Sequence, residues 1–323
     1  MAQSPSRQQV WTRYWSTGAQ HSCASSYSGP YGGQVASYWR RVLSAGLEDP
    51  KILDLCTGNG ALPALMADTL HGLNWHCDAV DLATVSPAWW QALPETRRSQ
   101  VQFHSGLAIE NLPFKSTSFD LIVSQYGLEY ADLPRALAEI SRLLAPKGRV
   151  ALLMHHQESR PVRLARIELT HLADLLAPDG FMSTAMAMRP LLLRAATAQG
   201  RAALNQDAEA TALRDRFNSL LARLEEDMAR SDCPDVIADT LGTVMPLLSR
   251  CGAEPDRAEW GMAEHRTALE DSRVRLQELC DVALDAAGAQ SVCAQLAPVC
   301  PGLVPEELRE GEYLMGWAIH VNR

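Results

Sequence analysis

Two glycines, with one carboxylate ahead of them and another behind, are the first residues in this sequence that could do chemistry. Lys51-Ile-Leu-Asp-Leu-Cys-Thr-Gly-Asn-Gly-Ala-Leu62 is a short apolar run that enters a tight turn and passes at once into a helical pattern from Ala61 to Leu70. Gly58 and Gly60 carry no Cβ, so the chain can turn sharply there and approach a ligand closely. The helix N-terminus behind them presents unpaired N–H groups. Roughly 20 residues on, Asp81 closes a second apolar run, Cys77–Leu82. A carboxylate in that register can accept both hydroxyls of a ribose; a surface aspartate capping the next helix is the plainer alternative. Further along, Gln125, Tyr126 and Glu129 follow the run Ser118–Ser124, and His155 and His156 follow Arg149–Met154. A neutral imidazole can take a proton near physiological pH. His155 is therefore the first candidate base and His156 the second, against the alternative that both only cap a strand end.

The elements that must position these groups alternate between strand and helix. Lys51–Leu55, Cys77–Leu82, Val101–His104, Ser118–Ser124 and Arg149–Met154 read as strands, with helices at Gln34–Leu43, Ala61–Leu70 and Leu133–Leu144. Pro87 and Pro94 leave only an interrupted helix between Ala83 and Ser99. The run Ser118–Ser124 is nearly continuous in apolar residues, as a strand buried on both faces should be. The pattern predicts an α/β fold, a doubly wound sheet whose ligands lie beyond the carboxyl ends of its strands. A dinucleotide is disfavoured because Pro63 stands where the third glycine would be, and no Gly-Lys-Ser/Thr follows the turn as a P-loop requires.

Leu53-Asp-Leu-Cys-Thr-Gly-Asn-Gly60 resembles motif I of the class I S-adenosylmethionine-dependent methyltransferases, with Cys56 at the place of the motif's first glycine. Gly106-Leu-Ala-Ile-Glu-Asn-Leu-Pro-Phe114 is similar to the stretch that lays its backbone along adenine, with Leu107 in place of the usual acid and one extra residue before Leu112. Ser141-Arg-Leu-Leu-Ala-Pro-Lys-Gly148 resembles the turn before strand five, so the likeness is collinear from Ile52 to Met154. It implies a seven-stranded Rossmann-like sheet with a large helical insertion between strands five and six. A strand over Ser291–Val299 would be the sixth, and Gly311–Asn322 would insert antiparallel beside strand five. The cofactor implied is S-adenosyl-L-methionine, leaving as S-adenosyl-L-homocysteine, with no metal. Asp54, Cys56, Thr57, Gly58, Asn59, Gly60, Asp81, Leu82, Leu107, Ala108 and Gln125 would surround it. Tyr126, His155 and His156 would act at the reacting atoms, and Tyr27, Tyr31 and Glu129 would face the acceptor.

Four regions follow. Residues 1–49 are an aromatic-rich arm, either packed on a sheet edge or folded as a lid, and residues 50–156 are the core. Residues 157–270 form a helical insertion, either an acceptor cap or a homodimer seam, and residues 271–323 return to the core with a last helix and two strands. Plausible insertion helices are Val162–Leu176, Met182–Ala198, Ala208–Arg230, Pro234–Ser249 and Ala258–Ala287, the last breaking near Thr267–Asp271 so that Arg273–Ala287 precedes strand six.

The composition, 47% hydrophobic and 21% charged over 323 residues, is that of an ordinary globular protein. A formal charge of −9 argues against a nucleic-acid partner. Ser124-Gln-Tyr-Gly127, standing where amino-methylating enzymes carry Asn/Asp-Pro-Pro-Tyr, argues against nucleic acid and glutamine as substrates. Arg189, Pro190 and Arg194 break the most apolar late run, no signal core opens the chain, and the eight cysteines lack metal-ligand spacing. A cytoplasmic protein with reduced thiols and no membrane partner is expected. The function expected is methyl transfer to a small-molecule acceptor; the alternative is a non-catalytic cofactor-binding partner or regulatory protein, which the departures at Cys56 and Leu107 keep open.

Overall fold

The computed structural model describes residues 6–22, 32–46 and 48–321. Tyr27 and Tyr31, expected to face the acceptor, lie outside the described residues. One sheet holds β1 (Lys51–Leu55), β2 (His76–Asp81), β3 (Val101–Ser105), β4 (Phe119–Gln125), β5 (Leu144–Met154), β6 (Leu303–Glu310) and β7 (Tyr313–Val321). Their order is β3-β2-β1-β4-β5-β7-β6. The first five strands run parallel, and β7 inserts antiparallel between β5 and β6, as the sequence resemblance implies.

Successive strand residues point to opposite faces, and this sorts the apolar residues into two cores. Leu53, Leu55, Ile122 and Leu152 pack with α6 (Leu133–Leu143) and α13 (Ala286–Leu296). Ile52, Leu121, Val123 and Leu153 pack with α2 (Gly33–Leu43) and α3 (Ala61–Thr69). Each fully buried aliphatic or aromatic side chain contributes about 1.5–3 kcal/mol. Burial on both faces is why these strands read as unbroken apolar runs rather than alternating ones. Pro87 and Pro94 cap two single-turn helices, α4 (Ala88–Gln91) and α5 (Glu95–Arg98), where a longer helix would have needed their missing N–H groups.

Between β5 and α13 run α7 (Arg160–Leu176), α8 (Phe181–Ala195), α9 (Ala198–Leu204), α10 (Ala208–Arg230), α11 (Asp235–Arg250) and α12 (Pro255–Val282). By its contacts the chain divides into two units, one up to Arg163 and again from Glu278, the other Leu164–Gln277. Within the second, Phe181 of α8 stacks on Phe217 of α10 with ring centroids 5.4 Å apart. Among the described residues no helix is long and apolar enough to cross a membrane.

Three elements depart from the sequence expectation. The strand expected over Ser291–Val299 is helix α13: Asp285 caps its start by accepting the Gly288 N–H at 2.8 Å, and the buried residues Ala289, Val292, Cys293 and Leu296 recur at helical spacing. The sixth strand instead follows Gly302. No break occurs near Thr267–Asp271, because neither proline nor glycine interrupts Met262–Val282 and α12 runs through. The helix begun at Phe181 stops at Ala195, and Thr197 caps α9 separately by accepting the Gly200 N–H at 3.0 Å.

Candidate functional site

Beyond Leu55 the chain enters the left-handed region three times in five residues, with φ of 57° at Cys56, 53° at Gly58 and 73° at Gly60. Cys56 thus holds a backbone conformation that favours glycine, at about 1–2 kcal/mol. The turn is closed by Thr57 N–H donating to the Val80 carbonyl at 3.0 Å and Gly60 N–H to the Thr57 carbonyl at 2.9 Å. A Cβ on Gly58 would sit 2.6 Å from the Trp15 ring, so a larger residue would push that ring away.

Asp81 ends β2 against this turn. Its Oδ2 accepts the Gly58 N–H and its Oδ1 the Ala83 N–H, each at 2.8 Å. Each oxygen keeps a further acceptor position. Burial pushes this carboxyl up to about 6, against the pull of those two donors. Asp54, 1% exposed, is pushed up to about 7, first by burial, with the Thr57 hydroxyl opposing and Asp81 adding. Burial, reinforced by Asp81 and Glu129, holds the Cys56 thiol well above its ordinary range. The Thr57 hydroxyl faces the Asp54 carboxyl at the end of β1, and among the described residues Gln125 Nε2 at the end of β4 is a buried polar atom without a hydrogen-bond partner.

A cleft enclosing about 660 Å³, part of it open to solvent, runs along this edge. Cys56, Asp81 and Leu82 line one wall, and Leu107, Ala108, Ile109 and Glu110 another. The second wall hangs from β2 through Leu107 N–H on the Asp81 carbonyl at 3.1 Å. The third wall comes from α1 (Arg7–Ser16), through Arg7, Trp11 and Trp15. A reciprocal cap starts this helix: Gln9 N–H donates to Ser6 Oγ at 3.3 Å and Ser6 N–H to Gln9 Oε1 at 2.9 Å. Its far end is tied to the glycine turn by Asn59 Nδ2, which donates to the carbonyls of Trp15 at 2.8 Å and Ala19 at 2.7 Å. Its near end is tied by Arg7, which donates to Glu278 at 2.8 Å and to the Tyr130 carbonyl at 2.6 Å.

Tyr126, Gly127 and Tyr130 close the cleft beyond β4. Tyr126 also has a left-handed backbone, with φ of 53°. Its N–H donates to the Leu153 carbonyl at 2.7 Å and its hydroxyl to the Met315 carbonyl at 3.1 Å. Behind it lies His155, fully buried, whose backbone N–H and Nδ1 both meet Glu129 Oε1, at 2.7 and 2.6 Å. His156 stacks on Trp317 at 4.5 Å, and its Nδ1 accepts the Glu158 N–H at 2.9 Å. Burial holds the His156 imidazole below its usual range.

Of the residues singled out in the sequence, Cys56, Asp81, Leu82, Leu107, Ala108 and Tyr126 line the cleft. Asp54, Thr57, Gly58, Asn59, Gly60 and Gln125 stand behind its wall as the turn and its supports. Gln125 Oε1 accepts the Trp39 indole N–H. Glu129, His155 and His156, expected at the acceptor, are not among the lining residues: they lie behind Tyr126 or at the end of β5. Trp11 and Trp15 belong to the aromatic-rich arm expected as a packing arm or lid, while Arg7, Glu110 and Tyr130 were not expected at the site. Ser6-x-x-Gln9 and the four-residue spacing of Trp11 and Trp15 carried the signal for α1.

Residues 52–148 match the family model described as methyltransferase domain. Demethylmenaquinone methyltransferase of Thermus thermophilus is 35% identical over 117 residues, 35% of this chain and 52% of that one. The 2-phytyl-1,4-naphtoquinone methyltransferase of Nostoc punctiforme is 30% identical over 139 residues, 39% of this chain and 55% of that one. The chain spans about half the length of these curated relatives. Among solved structures, a SAM-dependent methyltransferase from Aquifex aeolicus is 23% identical, covering 38% of this chain and 66% of that one, with a TM-score of 0.32.

Proposed function

We propose, from the premise that residues 52–148 form a class I methyltransferase domain, that the chain binds S-adenosylmethionine along the β1–β2 edge and transfers its methyl group to a small, flat, largely apolar acceptor. The observation that carries this reading is Asp81: a carboxylate at the close of β2, lining the cleft and already bonded to the glycine turn. The remaining acceptor position on each oxygen suits the two ribose hydroxyls. Leu82, Leu107, Ala108 and Ile109 offer apolar contact for adenine, while the glycine turn lets the backbone approach the rest of the nucleoside. The unbonded Gln125 Nε2 fits a polar ligand, directly or through water, since buried polar atoms are rarely left unbonded.

The cofactor, when bound, supplies an intrinsically activated methyl group on a cationic sulfur. The protein's own contribution is orientation and the exclusion of water. The rings of Trp11, Trp15, Tyr126 and Tyr130 around the cleft suit both tasks, because aromatic faces attract a cation and shed water. His155 is not carried forward as the base, since its imidazole is buried behind Tyr126 and engaged by Glu129. An acceptor that ionises by itself, such as a phenol or hydroquinone, needs no strong base. The quinone substrates in the relatives' names support a flat bicyclic acceptor. The test is incubation of the full chain with methyl-labelled cofactor and reduced 1,4-naphthoquinone. Label in the naphthalene product is expected; its absence there and in products from cell extract would contradict methyl transfer.

A further inference from the structure

Tyr126 is held from four sides, which is more than a ring that merely fills space requires. Its backbone is fixed in a left-handed conformation by the bond to the Leu153 carbonyl, and its hydroxyl is anchored on the Met315 carbonyl. Gly316 permits close approach at its edge, since a Cβ there would lie 3.2 Å from Tyr126 Cε1. One ring face rests on His155, with centroids 4.4 Å apart and planes 24° from parallel. The imidazole is itself oriented by Glu129, one of whose oxygens takes both the His155 backbone N–H and Nδ1. Both side chains of this pair are fully shielded from solvent, and neither lines the cleft.

A buried carboxylate is costly unless well bonded, and an apolar pair of similar volume would often serve stability as well. What the acid adds is direction. With two bonds from one oxygen to one residue, rotation of the imidazole about its own bond is stopped, and with it any tilt of the phenol stacked on it. We infer that Glu129, acting through His155, is a positioning residue that sets the plane of the Tyr126 ring, and that this ring is the stacking platform for a flat acceptor. The inference rests on the methyltransferase reading above and adds to it the residue that selects a planar substrate.

The test uses the full chain saturated with S-adenosylhomocysteine and follows 1,4-naphthoquinone binding by quenching of tryptophan emission. The paired variant Glu129→Leu/His155→Phe keeps an aromatic ring beneath Tyr126 and removes its orienting bonds without stranding a buried charge. It is expected to bind S-adenosylhomocysteine within about twofold of the parent chain, yet to lose naphthoquinone affinity by about tenfold or more. Glu129→Gln keeps an oxygen able to accept both N–H groups and should keep naphthoquinone affinity within about twofold of the parent chain; a loss as large as the paired variant's would overturn the inference. Equal naphthoquinone affinity in the paired variant would overturn the inference, as would parallel loss of both ligands or failure of the parent chain to bind naphthoquinone when the cofactor product is bound. A parent chain that does not bind S-adenosylhomocysteine overturns the methyltransferase reading itself, a separate outcome read in the same titration.

Discussion

At the β1–β2 end of the cleft, polar groups face the ligand space; at the β4–β5 end they stand behind an aromatic ring. Asp81 lines the cleft, while Glu129 and His155 spend their bonds on each other beneath Tyr126. Both ends nevertheless use the same local device, a non-glycine residue with positive φ just past a strand, Cys56 after β1 and Tyr126 after β4. The two meet: a Cβ added to Gly127 would collide with the Cβ of Cys56. Similar strain supports different work. At one end the turn brings Cys56 to the cleft; at the other it places the Tyr126 ring in the cleft wall.

The largest effect expected from this contrast lies at the first end. Asp54 has a carboxyl raised to about 7 by burial, against about 3.9 in an unfolded chain. The folded state prefers its protonated form, so its favourable share of stability is complete below pH about 4 and is lost as pH rises through about 7. The difference amounts to about 4 kcal/mol at most. Asp54→Asn should therefore unfold at higher temperature than the parent chain at pH 8 and lose that advantage near pH 4. Parallel melting curves across that range would show that Asp54 is not a buried, strained acid.

The next effect separates the two strained positions. Cys56→Gly relieves the left-handed conformation, worth about 1–2 kcal/mol, and gives up only thiol contacts, so a net gain of up to about 1 kcal/mol is expected from denaturant midpoints. Tyr126→Gly relieves the same strain but removes a buried ring, which costs about 3–5 kcal/mol, and should be net destabilising. The same sign for both substitutions would erase the distinction between a turn that wants glycine and a ring held in place.

How far the sequence foretold this differs between the ends for a physical reason. The glycine turn, the close of β2 and the loop from Gly106 are set by local backbone geometry, and the residue types that geometry demands stand next to one another in the chain. Cys56 is where that reading met its hardest case, and its positive φ shows the turn keeping its shape without the expected glycine. The acceptor end depends on which way side chains from separate strand ends turn. Nothing in Gln125-Tyr-Gly-Leu-Glu-Tyr130 or in His155-His156 announces that Glu129 will reach the backbone of His155 and draw the imidazole behind Tyr126. Helix α13 was legible at its start, where Asp285 precedes Gly288 by three residues, but small residues such as Ala289 and Cys293 mask a helical face as loop or strand. Helix α1 also carried a local signal, the Ser6–Gln9 cap ahead of Val10, Trp11, Tyr14 and Trp15 at helical spacing, but the sequence offered it only as part of an aromatic arm.

The central claim is that Asp81 holds the sugar of an adenosine at the edge between β1 and β2. Calorimetric titration of the full chain with S-adenosylhomocysteine across pH 5 to 8 tests it most directly. Hydroxyl donors favour the ionised carboxylate, so affinity should climb as pH rises through about 6 and then level, and Asp81→Asn should weaken the plateau by about 1.5–3 kcal/mol and flatten the climb. No binding by the parent chain, or equal affinity and equal pH dependence in both proteins, would contradict it.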